Sequence, residues 1–257
     1  MARGARQPAA PGAHRRPRRV LLKLSGEMIG GSSGAGFAAE GLSLLADQIA
    51  GARGAGAEIA VMIGGGNLVR GTRAGFLPRA EADGIGMLGT LMNALALRAA
   101  LESRETPAAV LSAFAVPRFA DLYRPELGRA LLAEGRVLLL AGGTGQTHLT
   151  TDTAAALRAL ELHCTLLIKA TKVDGVYSAD PAREPGARRF ASLSYEEVLA
   201  RRLAVMDLTA ITLCMENGLP LVVLNATTPG SVARYLRSGR GGTRVGAVAR
   251  RAPRRRA

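Results

Sequence analysis

Val20-Leu21-Leu22-Lys23-Leu24-Ser25-Gly26-Glu27 is a short apolar run broken by one lysine and closed by a glycine turn. A run of this length bounded by glycine predicts a buried strand rather than a helix. The same grammar recurs along the chain. Glu58–Ile63 runs into Gly64-Gly65-Gly66, Val137–Ala141 runs into Gly142-Gly143-Thr144-Gly145, and Leu166–Ile168 runs into Lys169-Ala170-Thr171-Lys172. Ala108–Leu111 and Leu221–Leu224 read as further strands, and Thr243–Val248 completes the body. Between them, helical spacing covers 42–53, 84–102, 125–134, 151–160, 195–202 and 207–217. Continuous apolar strands alternating with helices predict an α/β three-layer sandwich, with a central, mostly parallel sheet covered by helices on both faces.

The chain has 257 residues, 48% of them hydrophobic, enough for one large core. Its net charge of +14 is concentrated at the ends. Residues 1–19 hold six arginines and residues 246–257 five more, with no acid in either stretch, which leaves +3 for the rest. We therefore read a basic tail over 1–18, a folded domain over 19–245 and a second basic tail over 246–257. With no Trp, four Tyr and five Phe, the body lacks the stacking aromatics of a nucleic-acid platform, so specific nucleic-acid binding is not expected. No apolar run approaches the ~20 residues of a membrane span, and the N-terminus lacks a signal-peptide apolar core. A cytoplasmic protein is expected. Cys164 and Cys214 lie in apolar segments and fit neither a metal pattern nor a disulfide framework, so they read as buried thiols.

Of the 34 basic residues only Lys23, Lys169 and Lys172 are lysine. All three stand at strand exits, where a compact ammonium can reach a phosphoryl oxygen that a wide guanidinium fork cannot. Three glycine-rich strand exits accompany them, and consecutive glycines let backbone N–H groups turn toward an anion. Ligands of open α/β sheets bind outside the carboxyl ends of the strands, so these turns should converge. Two polyanions facing each other, a nucleoside triphosphate and a phosphorylated or carboxylated acceptor, fit the pattern. Asp152 follows Thr150-Thr151 at a predicted helix start, where it would either cap the helix or orient the lysines. The common nucleotide-binding and hydrolase motifs are absent, and His14, His148 and His163 are scattered.

These stretches resemble the amino acid kinase family, and within it the bacterial uridylate kinases. The resemblance runs in order from residue 19 to 245. It is carried by Leu22-Lys23-Leu24-Ser25-Gly26-Glu27, Ile63-Gly64-Gly65-Gly66-Asn67-Leu68-Val69-Arg70-Gly71, and the segment from Asp83 to Asn93. Thr150-Thr151-Asp152, the segment Lys169-Ala170-Thr171-Lys172-Val173-Asp174-Gly175-Val176-Tyr177, and Val205-Met206-Asp207-Leu208 extend it. The resemblance implies a kinase moving the γ-phosphoryl group of ATP to UMP, with magnesium carried by ATP and a homohexameric assembly. Lys23, Leu24, Ser25, Gly26, Gly66 and Arg70, with Thr171, Tyr177 and Asp180, would surround ATP. Gly65, Asp83, Thr144, Gly145, Gln146 and Thr147, with His148, Leu149, Thr150 and Thr151, would surround UMP. Asp152 would organise the transfer centre with Lys23, with Lys169 or Lys172 on the ATP side, all four being candidate catalytic residues.

The chain departs from the family where Gln146-Thr147-His148-Leu149 replaces an Asn-Pro-aromatic-aromatic run. It departs again at Glu102, where a histidine often serves a GTP site. The altered loop keeps a kinase of the same fold with a different acceptor as the alternative, and a non-catalytic nucleotide-binding protein as a second.

Overall fold

The computed structural model describes residues 19–69, 77–179, 181, 183–184 and 186–246. The N-terminal basic tail, residues 247–257 of the C-terminal one, Arg70 and Asp180 therefore lie outside the described residues. Nine strands form one sheet: β1 (Arg19–Leu24), β2 (Glu58–Ile63), β3 (Ala108–Ser112), β4 (Asp121–Leu122), β5 (Val137–Ala141), β6 (Leu166–Thr171), β7 (Ser192–Leu193), β8 (Leu221–Asn225) and β9 (Thr243–Val245). Their order is β4-β3-β5-β2-β1-β6-β8-β9-β7, and among these described strands the β8–β9 pair alone is antiparallel. The expected mostly parallel sheet is thus present, with β1 at its centre.

Side-chain alternation divides the core into two layers. Val20, Leu22 and Leu24 of β1 join Ile168 and Ala170 of β6 on one face, packed by α1 (Ala39–Gly54), α2 (Arg79–Glu102) and α7 (Ser231–Ser238). Leu21 and Leu167 point the other way, toward α3 (Pro125–Ala133), α4 (Thr151–Glu161), α5 (Tyr195–Ala200) and α6 (Leu208–Glu216). Leu21, Leu22 and Leu24 are at most 1% exposed, and each such side chain contributes roughly 1.5–3 kcal/mol on burial. Cys164 and Cys214 are buried, and that burial raises both thiols to about 12, so they stay protonated.

Several boundaries differ from the sequence reading, each for a packing reason. Strand β6 continues to Thr171, because Lys169 and Thr171 stay in register with β8 (Lys169↔Val223, Thr171↔Asn225). Helix α2 begins at Arg79 rather than Gly84, immediately after Pro78, so Asp83 is helical. Its three glycines are tolerated because Ala94, Leu97 and Leu101 are fully buried against the sheet. By length and composition alone this helix is also apolar enough to cross a membrane, with 39% of its apolar window buried in the fold. The two-residue strands β4 and β7 went unseen, being too short to display a period of two. After β1 the chain makes a 3₁₀ turn over Gly26–Met28.

Candidate active site

The parallel register sets Lys23 of β1 directly beside Lys169 of β6. Lys23 shares its parity with Leu21, and Lys169 with Leu167, so both lysines leave the sheet on the α4 side. Asp152, in the first turn of α4, stands over them. Its Oδ1 lies 2.7 Å from Lys23 Nζ, and its Oδ2 accepts a 2.9 Å hydrogen bond from Lys169 Nζ. The buried Oδ1 is thus compensated by the Lys23 ammonium charge. Lys169 also donates to the Val205 carbonyl at 2.5 Å.

Burial opposes ionisation of Asp152, yet the Lys23 and Lys169 ammonium charges outweigh it and hold the carboxyl below its usual range. Lys169 is pushed the other way: burial lowers it below the ordinary lysine value of 10.5, with Asp152 opposing and Lys23 reinforcing. The cluster is a fixed net positive charge at a sheet edge.

Asp152 does not cap α4. Thr150 does, its Oγ1 accepting from the backbone N–H of Asp152 at 3.0 Å and of Thr153 at 3.3 Å. The Thr150 hydroxyl donates to Asp207, and Thr153 Oγ1 lies 2.9 Å from both Asp207 oxygens. Asp207 in turn caps α6 through the Ala210 N–H at 2.8 Å. One carboxylate thus ties the starts of two helices together, a link between residues more than fifty positions apart that no sequence motif announces.

A second missed element is an amide pair behind the glycine turns. Asn93 Nδ2 donates to the Gly64 carbonyl and to Asn67 Oδ1, both at 2.7 Å, while Asn67 Nδ2 donates to Asn93 Oδ1 at 3.1 Å and to the Gly36 carbonyl at 2.7 Å. This holds the β1 and β2 exits so close that a Cβ on Gly26 would lie 2.4 Å from the Gly64 oxygen. No other residue fits there. An Asn in a glycine turn and another on a helix face gave no signal of mutual contact.

Two cavities flank the cluster. The smaller, about 130 Å³, is lined by Gly65, Asp83, Thr144, Gln146, Leu149, Thr150 and Thr151 among the residues expected at the acceptor. Gly66, expected at ATP, lines this same cavity beside Gly65. Gly145, Thr147 and His148 do not line it. His148 is exposed with φ +65°, and its backbone N–H donates to Asp83 Oδ2 at 2.8 Å. Burial would raise the Asp83 carboxyl, but the His148 N–H and the Arg79 guanidinium, 3.0 Å from both oxygens, hold it below the usual range. At the other end of the loop, Thr90 Oγ1 accepts the Gly142 N–H at 2.7 Å.

The larger cavity, about 510 Å³, is lined by Lys169, Thr171 and Tyr177, with Val173, Gly175 and Val223. Tyr177 donates its hydroxyl to Asp174 Oδ1 at 2.6 Å. Lys23, Ser25 and Gly26 sit at the β1 exit, and Leu24 is buried so that only its backbone can face a ligand. Lys172 is exposed on the bend after β6 and is not brought to Asp152.

The family model for the amino acid kinase family matches residues 18–225. A uridylate kinase of Bradyrhizobium diazoefficiens is 46% identical over 230 residues, covering 89% of this chain and 97% of its own. The chloroplastic uridylate kinase PUMPKIN of Arabidopsis thaliana is 44% identical over 247 residues, covering 94% of this chain and 73% of its own. Among solved structures, UMP kinase from Bacillus anthracis superposes with a TM-score of 0.87 at 33% identity, covering 90% of this chain and 97% of that one.

Proposed function

The chain belongs to the amino acid kinase family, and from that membership we propose that it is an ATP-dependent UMP kinase, a phosphotransferase converting ATP and UMP to ADP and UDP. The observation that carries the reading is the clamp of Asp152 between Lys23 and Lys169. Its Lys169 end lines the larger cavity, and Asp152 directly follows Thr150 and Thr151 of the smaller one. ATP occupies the larger cavity and UMP the smaller, so that their phosphates meet at the lysines.

Phosphoryl transfer asks the protein to orient two anions and to neutralise the charge that develops between them. A UMP phosphate is already ionised at neutral pH, so no strong base is needed. Lys23 neutralises the phosphoryl group in flight, Lys169 the donor side, and Asp152 holds both ammonium groups in place without itself accepting a proton. The Gly26 and Gly65 turns bring backbone N–H groups to the phosphates. Magnesium would be carried by ATP and would neutralise phosphate charge beside Lys23 and Lys169. Among the described residues no cluster of three His, Cys, Asp or Glu side chains offers a separate cage. A homohexamer is the expected assembly, and the exposed Ile85, Leu88 and Met92 face of α2 supplies apolar surface for self-association. The product would feed pyrimidine nucleotide synthesis in the cytoplasm.

A coupled ADP-release assay across nucleoside monophosphates tests the reading. Turnover with UMP, above that with CMP and dUMP, is expected. Turnover confined to another acceptor, or none with any, overturns it.

A further inference from the structure

Helix α2 carries two polar side chains that are shut away from water. Thr90 is 2% exposed and Asn93 0%. They stand three residues apart, one above the other on a single helix face. Neither residue type favours a helix interior as alanine or leucine would. Each is spent on a strand exit. Asn93 Nδ2 donates to the Gly64 carbonyl and to Asn67 Oδ1, at the exit of β2 beside Gly26. Thr90 gives its hydroxyl proton to the Met87 carbonyl at 2.7 Å, and the same oxygen accepts the Gly142 N–H at the exit of β5. Between these contacts the helix backbone lies directly on the middle glycine. A Cβ on Gly65 would stand 2.5 Å from the Gly86 carbonyl oxygen and 3.1 Å from the Thr90 nitrogen. One helix face therefore touches Gly64, Gly65 and Gly142.

We propose that Asn93 and Thr90 are positioning residues for phosphoryl transfer, through which α2 sets the donor-side glycine turn at a fixed distance from the acceptor loop. The inference rests on the UMP kinase reading, in which the Gly26 turn serves ATP and the loop after Gly142 serves UMP. Asn93 acts through Gly64 and Asn67 on the first. Thr90 lines the smaller cavity with its hydroxyl proton already committed, and acts through Gly142 on the second. Stability alone does not call for polar groups here, since buried hydrogen-bonding partners can be exchanged together for apolar groups of the same shape at little net cost. The glycine turns do call for them. Without side chains the turns have little of their own to pack, and their place is set from outside. A displacement of about 1 Å at the reacting groups costs on the order of 100-fold in rate.

The two contacts serve different substrates, so their losses should separate in steady-state kinetics of the full chain. Asn93→Ala should lower kcat about 10–100-fold with the UMP KM within about threefold. Asn93→Ser, measured alongside in case the alanine chain does not fold, should fall between it and the unsubstituted chain. Thr90→Val keeps the shape and removes the hydroxyl. It should raise the UMP KM about 5–10-fold with kcat within about threefold, and Thr90→Ser should recover the loss. Amide hydrogen exchange gives a readout independent of turnover. The Gly64 N–H, bonded to the Leu24 carbonyl at 3.0 Å, should exchange at least about 10-fold faster in Asn93→Ala, and the Gly142 N–H in Thr90→Val, each variant leaving the other amide protected. An unsubstituted chain without turnover on UMP overturns the UMP kinase reading before any variant is made. In an active chain, variants that lose melting temperature but keep kcat and KM overturn the positioning role. So does the same kinetic loss from both positions, or unchanged exchange at both glycines.

Discussion

The proposed transfer centre and the proposed acceptor loop are neighbours built on opposite principles. Lys23, Asp152 and Lys169 each stand on a strand or helix, with side chains only 13–20% exposed. Register, helix cap and the Val205 carbonyl all fix them. Residues 142–149 are held mainly at their ends, by Thr90 on Gly142 and by Asp83 on His148, while Gln146, His148 and Leu149 are exposed. The difference teaches where a family can vary. On the proposed roles, charge that must meet a transferring phosphoryl group is locked into the scaffold, and recognition is left to a loop whose residues can change without moving the lysines. The replacement at 146–149 falls wholly on the second side of that divide.

The contrast breaks first if the scaffold side proves soft. Lys23→Ala should lower kcat by at least ~100-fold, the scale of one lost electrostatic contact to the transition state. Lys23→Arg should also be poor, because the fork is too wide for the turn at Gly26. Near-normal rates for both variants would remove Lys23 from the chemistry. Asp152→Asn should lose most turnover yet remain folded, since Thr150 keeps the α4 cap; an active Asp152→Asn enzyme would reduce the carboxylate to a structural role.

A pH titration sharpens the same point. Lys169 in the folded chain loses its proton below 10.5, so kcat should fall on the alkaline side before free lysine titrates. In the window between the folded and unfolded values the unfolded chain binds more protons, so stability should rise with pH while turnover falls. Parallel loss of both would assign the alkaline limb to unfolding. On the loop side the effects are smaller. Asp83→Asn should raise the UMP KM by about 10-fold through loss of a charged hydrogen-bond acceptor, with kcat little changed. His148→Phe should stay within about twofold for UMP, because the ring does not line the cleft and only the backbone N–H is used; a larger shift in KM would bring the side chain into recognition.

Much of the scaffold was legible because strand alternation is a local code. Lys23 among leucines announced a buried strand with one charged exit, and the glycine exits announced convergence at one sheet edge. The pairing of Asn67 with Asn93, the Asp207 link between α4 and α6, and the choice of Thr150 over Asp152 as cap depend on elements that meet only after folding. No spacing rule connects them. Adjacent Thr150, Thr151 and Asp152 offer three capping groups of similar propensity, and the lysines decide by claiming the carboxylate.

The register between β1 and β6 also governs when this protein becomes an enzyme. A slip of one residue would turn Lys23 or Lys169 onto the α1–α2 face among Leu22, Ile63 and Ile168, where a charge has no partner. The two strands lie far apart in the chain, and such non-local pairings form slowly because loop closure precedes their reward. A nascent chain that has not yet emerged through Thr171 cannot complete the site, however well its first half is folded. Recovery of turnover on refolding should therefore lag the appearance of helix, and its time course should report the closure of this one strand pair.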